Sequence, residues 1–154
     1  MGIFDIFKKK KNISNDIDDR VNINIANLSG ILTGVLTLQI TLTKYSNKIS
    51  KTGKVLNALP KNEFVYGYLY GFIDYNFQTS SMPDEKSWML GSTLIFTNFY
   101  GPKKAGEILA KSQAYMIESK KFMTGVKEGA DDAKKWKNKG NPMGLASYIQ
   151  ENLS

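Results

Sequence analysis

Asp74 is the one charged residue in the segment FVYGYLYGFIDYNF, residues 64–77. A carboxylate among so many rings has three chemical uses. It can act as a general acid or base, it can accept hydrogen bonds from a neighbouring helix N-terminus or pair with a lysine, or it can form the polar floor of a binding groove. Acid–base catalysis needs a second group beside it, and Glu63, on the same expected helix, falls about three turns away. Buried carboxylates are ordinarily paired for structural reasons, so the packing role is the expectation and the groove the alternative.

The position of Asp74 follows from helical geometry. At about 100° per residue, Phe64, Val65, Tyr66, Tyr68, Leu69 and the other apolar residues of the segment cover most of the circumference. One narrow gap is left, and it holds Gly67, Gly71, Asp74 and Gln78. Glycines four apart let a second backbone come close. These four residues form the candidate interaction or close-packing stripe.

Other chemistries are excluded by residue type. The chain has no Cys and no His. That removes disulfides, thiol nucleophiles, imidazole bases, Ser-His triads and His/Cys zinc sites. A metal would need an all-oxygen site, and no Asp/Glu spacing resembles a calcium loop. TGKV, residues 52–55, is no phosphate loop, because Val55 stands where Ser or Thr is required and no glycine precedes Gly53 at the right distance. The alternation YGYLYGF approaches an RNA-stacking signature, but Leu69 and Gly71 break it, and the rings are better read as core. No catalytic residue, metal or cofactor is expected, and the chain is read as non-enzymatic.

The 154-residue chain carries 21 basic and 14 acidic side chains, a formal charge of +7. The excess is uneven: residues 63–102 hold Lys86 alone against Glu63, Asp74, Asp84 and Glu85. Arg20 is the only arginine, whereas sites that grip phosphates or guanine bidentately favour Arg. Abundant Lys, Asn and Ile read first as coding bias. Two clusters are still candidate contacts for a polyanion or membrane: Lys8, Lys9, Lys10 and Lys11 behind an apolar tip, and Lys134, Lys135, Trp136 and Lys137. The opening MGIFDIFKKKK runs apolar-then-basic, the reverse of a secretory signal, and Ile6 occupies the position where myristoylation wants Ser or Thr.

The elements that must position these residues are mostly helical. Residues 1–20 read as a mobile basic segment with a polar linker, and 21–154 as a single domain with enough apolar content for a core. Residues 21–43 contain no charge and are long enough to span a bilayer, but Asn22, Asn24, Asn27 and Gln39 argue against a transmembrane role. Ile25, Leu28, Leu32, Val35, Leu36 and Leu42 form a helical stripe there, while LTLQITLT alternates as a strand would. Helix is chosen, with α+β and strands within 31–56 as the alternative. Lys44, Lys48 and Lys51 then share one helical face, and KTGK turns.

A helix opens at Pro60 and Asn62 and runs to about Gln78. The next opens with a capping box of Ser81 and Asp84 and ends at Tyr100-Gly101-Pro102. A long amphipathic helix starts near Lys103, with a break or kink expected at Gly125 or Gly129. GNPMG caps it and restarts a short closing helix. The whole reads as a small all-α bundle around the aromatic helix. The expected function is a protein–protein interaction module, an adaptor or regulator acting through helical surfaces, with a protein partner or a second copy. The alternative is a binder of nucleic acid, or of a membrane surface through residues 1–11. The cytoplasm, or the membrane periphery, is the expected location.

Overall fold

The computed structural model describes residues 3–153, with side chains from residue 19 onward. The helices are α1 (Ile3–Thr41), α2 (Glu63–Gln78), α3 (Glu85–Tyr100), α4 (Pro102–Glu118), α5 (Lys120–Lys137) and α6 (Gly144–Asn152). A short 3-10 helix, Lys44–Lys48, follows α1. No strand occurs among the described residues, so the strand alternative for 31–56 fails. The reason is packing. Ile25, Leu32, Leu36 and Ile40 recur at helical spacing and are all buried, and that burial outweighs the propensity cost of Gly30, Gly34 and the β-branched residues. At its start α1 also includes residues 12–19, expected as a polar linker.

The ends of the other helices have local causes. Asn62 Oδ1 accepts from Phe64 N at 2.8 Å and opens α2. For α3 the expected capping box places the cap three residues too early. Asp84 is the N-cap itself, accepting from Ser87 N at 2.9 Å and from the Ser87 hydroxyl at 2.7 Å. One carboxylate thus takes both donors, and Ser81 precedes the helix. Gly101, at φ 80°, ends α3 and lets Pro102 start α4 at once.

The expected kink at Gly125 or Gly129 is also corrected. The long helix breaks at Ser119, whose backbone is extended and whose hydroxyl accepts from Phe122 N to begin α5. Both glycines sit unbroken inside α5.

Those glycines explain the centre of the fold. Gly67 and Gly71 of α2 lie against the backbone of Phe122 and Val126. Gly125 and Gly129 of α5 lie against the backbone of Phe64 and Tyr68. Numbers rise together on both sides, so the two helices run parallel, each offering glycines to the other. A Cβ at any of the four would stand 2.0–2.1 Å from a carbonyl oxygen, far inside contact distance. Around this seam Tyr68, Phe72, Phe77, Phe96, Phe99 and Phe122 are fully buried. The α3 helix passes over α2 at Gly91, which faces the Phe77 ring, and also lies alongside α1.

Candidate functional site

The stripe read from the sequence divides into two parts. Gly67 and Gly71 belong to the α2–α5 seam, so their close neighbour is intramolecular. Asp74 and Gln78 instead line a cleft of about 750 Å³ between α2, α3 and α4. Asp74 is half-buried, accepts one hydrogen bond from Gln78 Nε2 at 2.8 Å, and has no basic partner among the described residues. Glu63 lies elsewhere, accepting the Ser119 hydroxyl at the α4–α5 break.

Aromatic rings form the apolar part of the cleft. Tyr70 and Trp88 meet edge-on with centroids 5.1 Å apart, and Phe77 lines the same space. Burial raises the Tyr70 pKa, with the Asp74 charge adding to it. The Trp88 indole N–H is buried and has no hydrogen-bond acceptor among the described residues. Glu85 also lines the cleft, and no described Lys or Arg does.

The carboxylate that is fully buried is Asp132 of α5, not Asp74. Its Oδ2 accepts from the Tyr68 hydroxyl at 2.6 Å and from Gly144 N at 2.7 Å. Gln39 completes the network. Its Nε2 donates to the Tyr68 hydroxyl at 2.9 Å, and its Oε1 accepts from Leu145 N at 3.1 Å and Ala146 N at 3.4 Å. Two side chains from distant helices therefore satisfy the first amides of α6, which has no cap of its own. Lys135 Nζ stands 3.5 Å from Asp132 Oδ1, partly offsetting the charge from the solvent edge. Burial, reinforced by the bond to Asp132, drives the Tyr68 pKa far upward. This network ties α1, α2, α5 and α6 together. Every polar atom that it brings to one place is occupied by another, apart from Asp132 Oδ1, so its geometry is that of a structural lock.

The second basic cluster is dispersed. Lys134 is exposed, Lys135 faces Asp132, and the Lys137 ammonium meets the Thr79 hydroxyl, with its pKa lowered by burial. Trp136 is half-buried with its ring 6.2 Å from that of Phe72. The side chains of Lys8, Lys9, Lys10 and Lys11, and hence the membrane contact expected of residues 1–11, lie outside the described residues. Lys44 and Lys48, expected to share a face with Lys51, both reach over the Tyr45 ring, at 5.5 and 4.9 Å.

The outer side of α1 is the most unusual surface. Ile23 is 58% exposed, Ile31 54% and Leu38 66%. Gly30 and Gly34, on the same side, meet nothing within 4 Å. Leu90 and Leu94 of α3 are also exposed, and Asn98 Nδ2 lies 3.4 Å from Thr33 Oγ1 where α1 and α3 run side by side. Every exposed position from Val21 to Leu42 is uncharged.

Set against known protein families, curated proteins and solved structures, the chain matches none.

Proposed function

We propose that the protein is an interaction module that works through the outer face of α1 and the adjoining part of α3, and that its simplest partner is a second copy. One observation carries the reading: a helix face more than five turns long is exposed to solvent without a single charge. A solvated helix ordinarily places charged residues on its outer side, as α4 does with Lys103, Glu107 and Lys111. Ile23, Ile31 and Leu38 supply apolar area. Gly30 and Gly34 allow a backbone-close approach of the kind that α2 and α5 already make. Among the described side chains, basic residues reach this face only at its N-terminal edge, as Arg20 and Lys86; it lacks the run of basic residues that a polyanion needs, which favours a protein partner.

The membrane reading has its own support, since Asp19–Thr41 is long and apolar enough to cross a bilayer. Against it, one third of its most apolar 18-residue stretch is buried within the fold, and Gln39 holds the start of α6. Insertion would have to break the core and that network.

Light scattering across a concentration series tests the proposal. The wild type should associate reversibly, and Ile31→Lys, at an exposed position, should stay monomeric with an unchanged melting temperature. A wild type that stays monomeric at high concentration and retains no protein from its own cells would refute it. Flotation with anionic vesicles that is lost on deletion of residues 1–11, or binding to nucleic acid that falls steeply with salt, would move the function to the alternatives.

A further inference from the structure

We propose that the cleft between α2, α3 and α4 binds a small organic ammonium compound, with Asp74 as counter-ion and Tyr70 and Trp88 as its aromatic wall. The proposal is independent of the α1 face, because the cleft lies on the opposite flank of α3: Met89, Thr93 and Thr97 line it, whereas Leu90 and Leu94 do not.

Charge is the first argument. No basic side chain among the described residues lines the cleft, while Asp74 and Glu85 both do. Asp74 is half-buried, and no lysine or arginine among the described residues pairs with it. A carboxylate in that position favours a cation, and partial desolvation strengthens the attraction. The rings are the second argument. Tyr70 and Trp88 both line the cleft and meet at an interplanar angle of 62°, which makes a corner of aromatic rings. Such corners attract ammonium groups through the ring quadrupole, and Trp is the best of them.

The cleft hydroxyls of Thr93 and Ser112 are already spent on the carbonyls of Met89 and Leu109, which leaves the acidic side chains and the aromatic rings as its distinctive groups. An organic ammonium complements both. The volume, about 750 Å³, fits a small molecule.

Trp88 reports the test directly. The other tryptophan, Trp136, lies against Phe72, so Trp136→Phe leaves Trp88 as the single reporter. Choline is the probe, and 3,3-dimethyl-1-butanol is its uncharged isostere. Choline should change Trp88 fluorescence saturably, and the alcohol should not. Tetramethylammonium, which keeps the charge without the hydroxyl, should bind as well. Asp74→Asn should weaken choline by roughly tenfold or more, at an unchanged melting temperature; if it fails to fold, Glu85→Gln should still weaken binding measurably. Phosphatidylcholine vesicles separate the two sources of this chemistry. Flotation that free choline competes away would assign the site to a lipid headgroup, and its absence, with choline binding retained, would assign it to a free ligand. No saturable response to choline up to tens of millimolar, an equal response to the alcohol, or undiminished binding by both acidic variants would overturn the proposal.

Discussion

Gly71→Ala should destabilise the fold, although the same exchange in most helices is favourable. In a helix interior alanine exceeds glycine by about 1 kcal/mol. At Gly71, however, the new Cβ would stand 2.0 Å from Val126 O, 2.7 Å from its carbonyl carbon and 2.9 Å from its Cα. All three are backbone atoms in a helix, so no rotamer change relieves the contact. The two helices must separate by about 1 Å or more. A gap of that size forfeits a quarter to a half of each dispersion contact along the seam. Gly67, Gly125 and Gly129 lose their close approach at the same time. Overpacking in cores costs about 1–3 kcal/mol and sometimes more, and a backbone-on-backbone clash belongs at the upper end. A net loss of about 2 kcal/mol remains after the propensity gain. For a chain of this size it should lower the melting temperature by roughly 4–8 °C. Gly106→Ala is the matched control, because Gly106 lies within α4 and nothing stands within 4 Å of its missing Cβ. That variant should melt slightly higher than the wild type. Thermal and urea unfolding followed by circular dichroism would measure both. A Gly71→Ala protein as stable as the wild type would refute the glycine seam and the parallel α2–α5 pairing drawn from it.

Alkaline pH offers a second test. Burial raises the tyrosine pKa values of Tyr68 and Tyr100 well above normal and pushes Tyr66 up to about 12. These groups favour the protonated form in the fold, so their contribution is complete below about pH 10, where the unfolded chain is also protonated, and is lost as pH rises further. Tyr68 and Tyr100 together should cost roughly 2–3 kcal/mol per pH unit above 10, and their phenolate absorbance should appear only with unfolding. Tyr68→Phe should cost about 1–3 kcal/mol, because Gln39 and Asp132 each lose a buried partner. The amides of Leu145 and Ala146 should then exchange faster, since the side chain that caps α6 is no longer held; unchanged protection would argue that Gln39 needs no help from Tyr68.

The parts of this fold that were legible in the sequence have local causes. Asn62 before an unbroken apolar run marks the start of α2, and Tyr100-Gly101-Pro102 marks the junction of α3 and α4. Gly67 and Gly71 beside Asp74 were readable as a close-approach stripe, because helical periodicity alone places them together. Gly125 and Gly129 were not. A glycine that weakens a helix and a glycine that admits another backbone are the same letter, and the distinction lies in a partner far away in the chain. The four-residue spacing they share with Gly67 and Gly71 was the available signal. Asp132 is hidden for a similar reason: in EGADDAKKWK it is one of two adjacent acids on a charged helix, and only the packing of α6 shows that it is buried and Asp131 exposed. The unpaired Trp88 N–H is likewise a fact of tertiary surroundings.

Gly67 and Gly125 stand 58 positions apart in the chain, as do Gly71 and Gly129. The tightest contact in the molecule therefore closes a long loop, at an entropic cost of roughly 3–4 kcal/mol from the length term alone. Neither helix can gain from the seam until α3 and α4 have carried the chain out and back so that α5 lies parallel to α2. Folding should then be slower than in bundles whose neighbouring helices are consecutive. The same topology makes α3 and α4 a tether: a chain cut between them would have to bring its two halves together as separate molecules, so a single proteolytic nick near Gly101 should turn a property of the fold into one that depends on concentration.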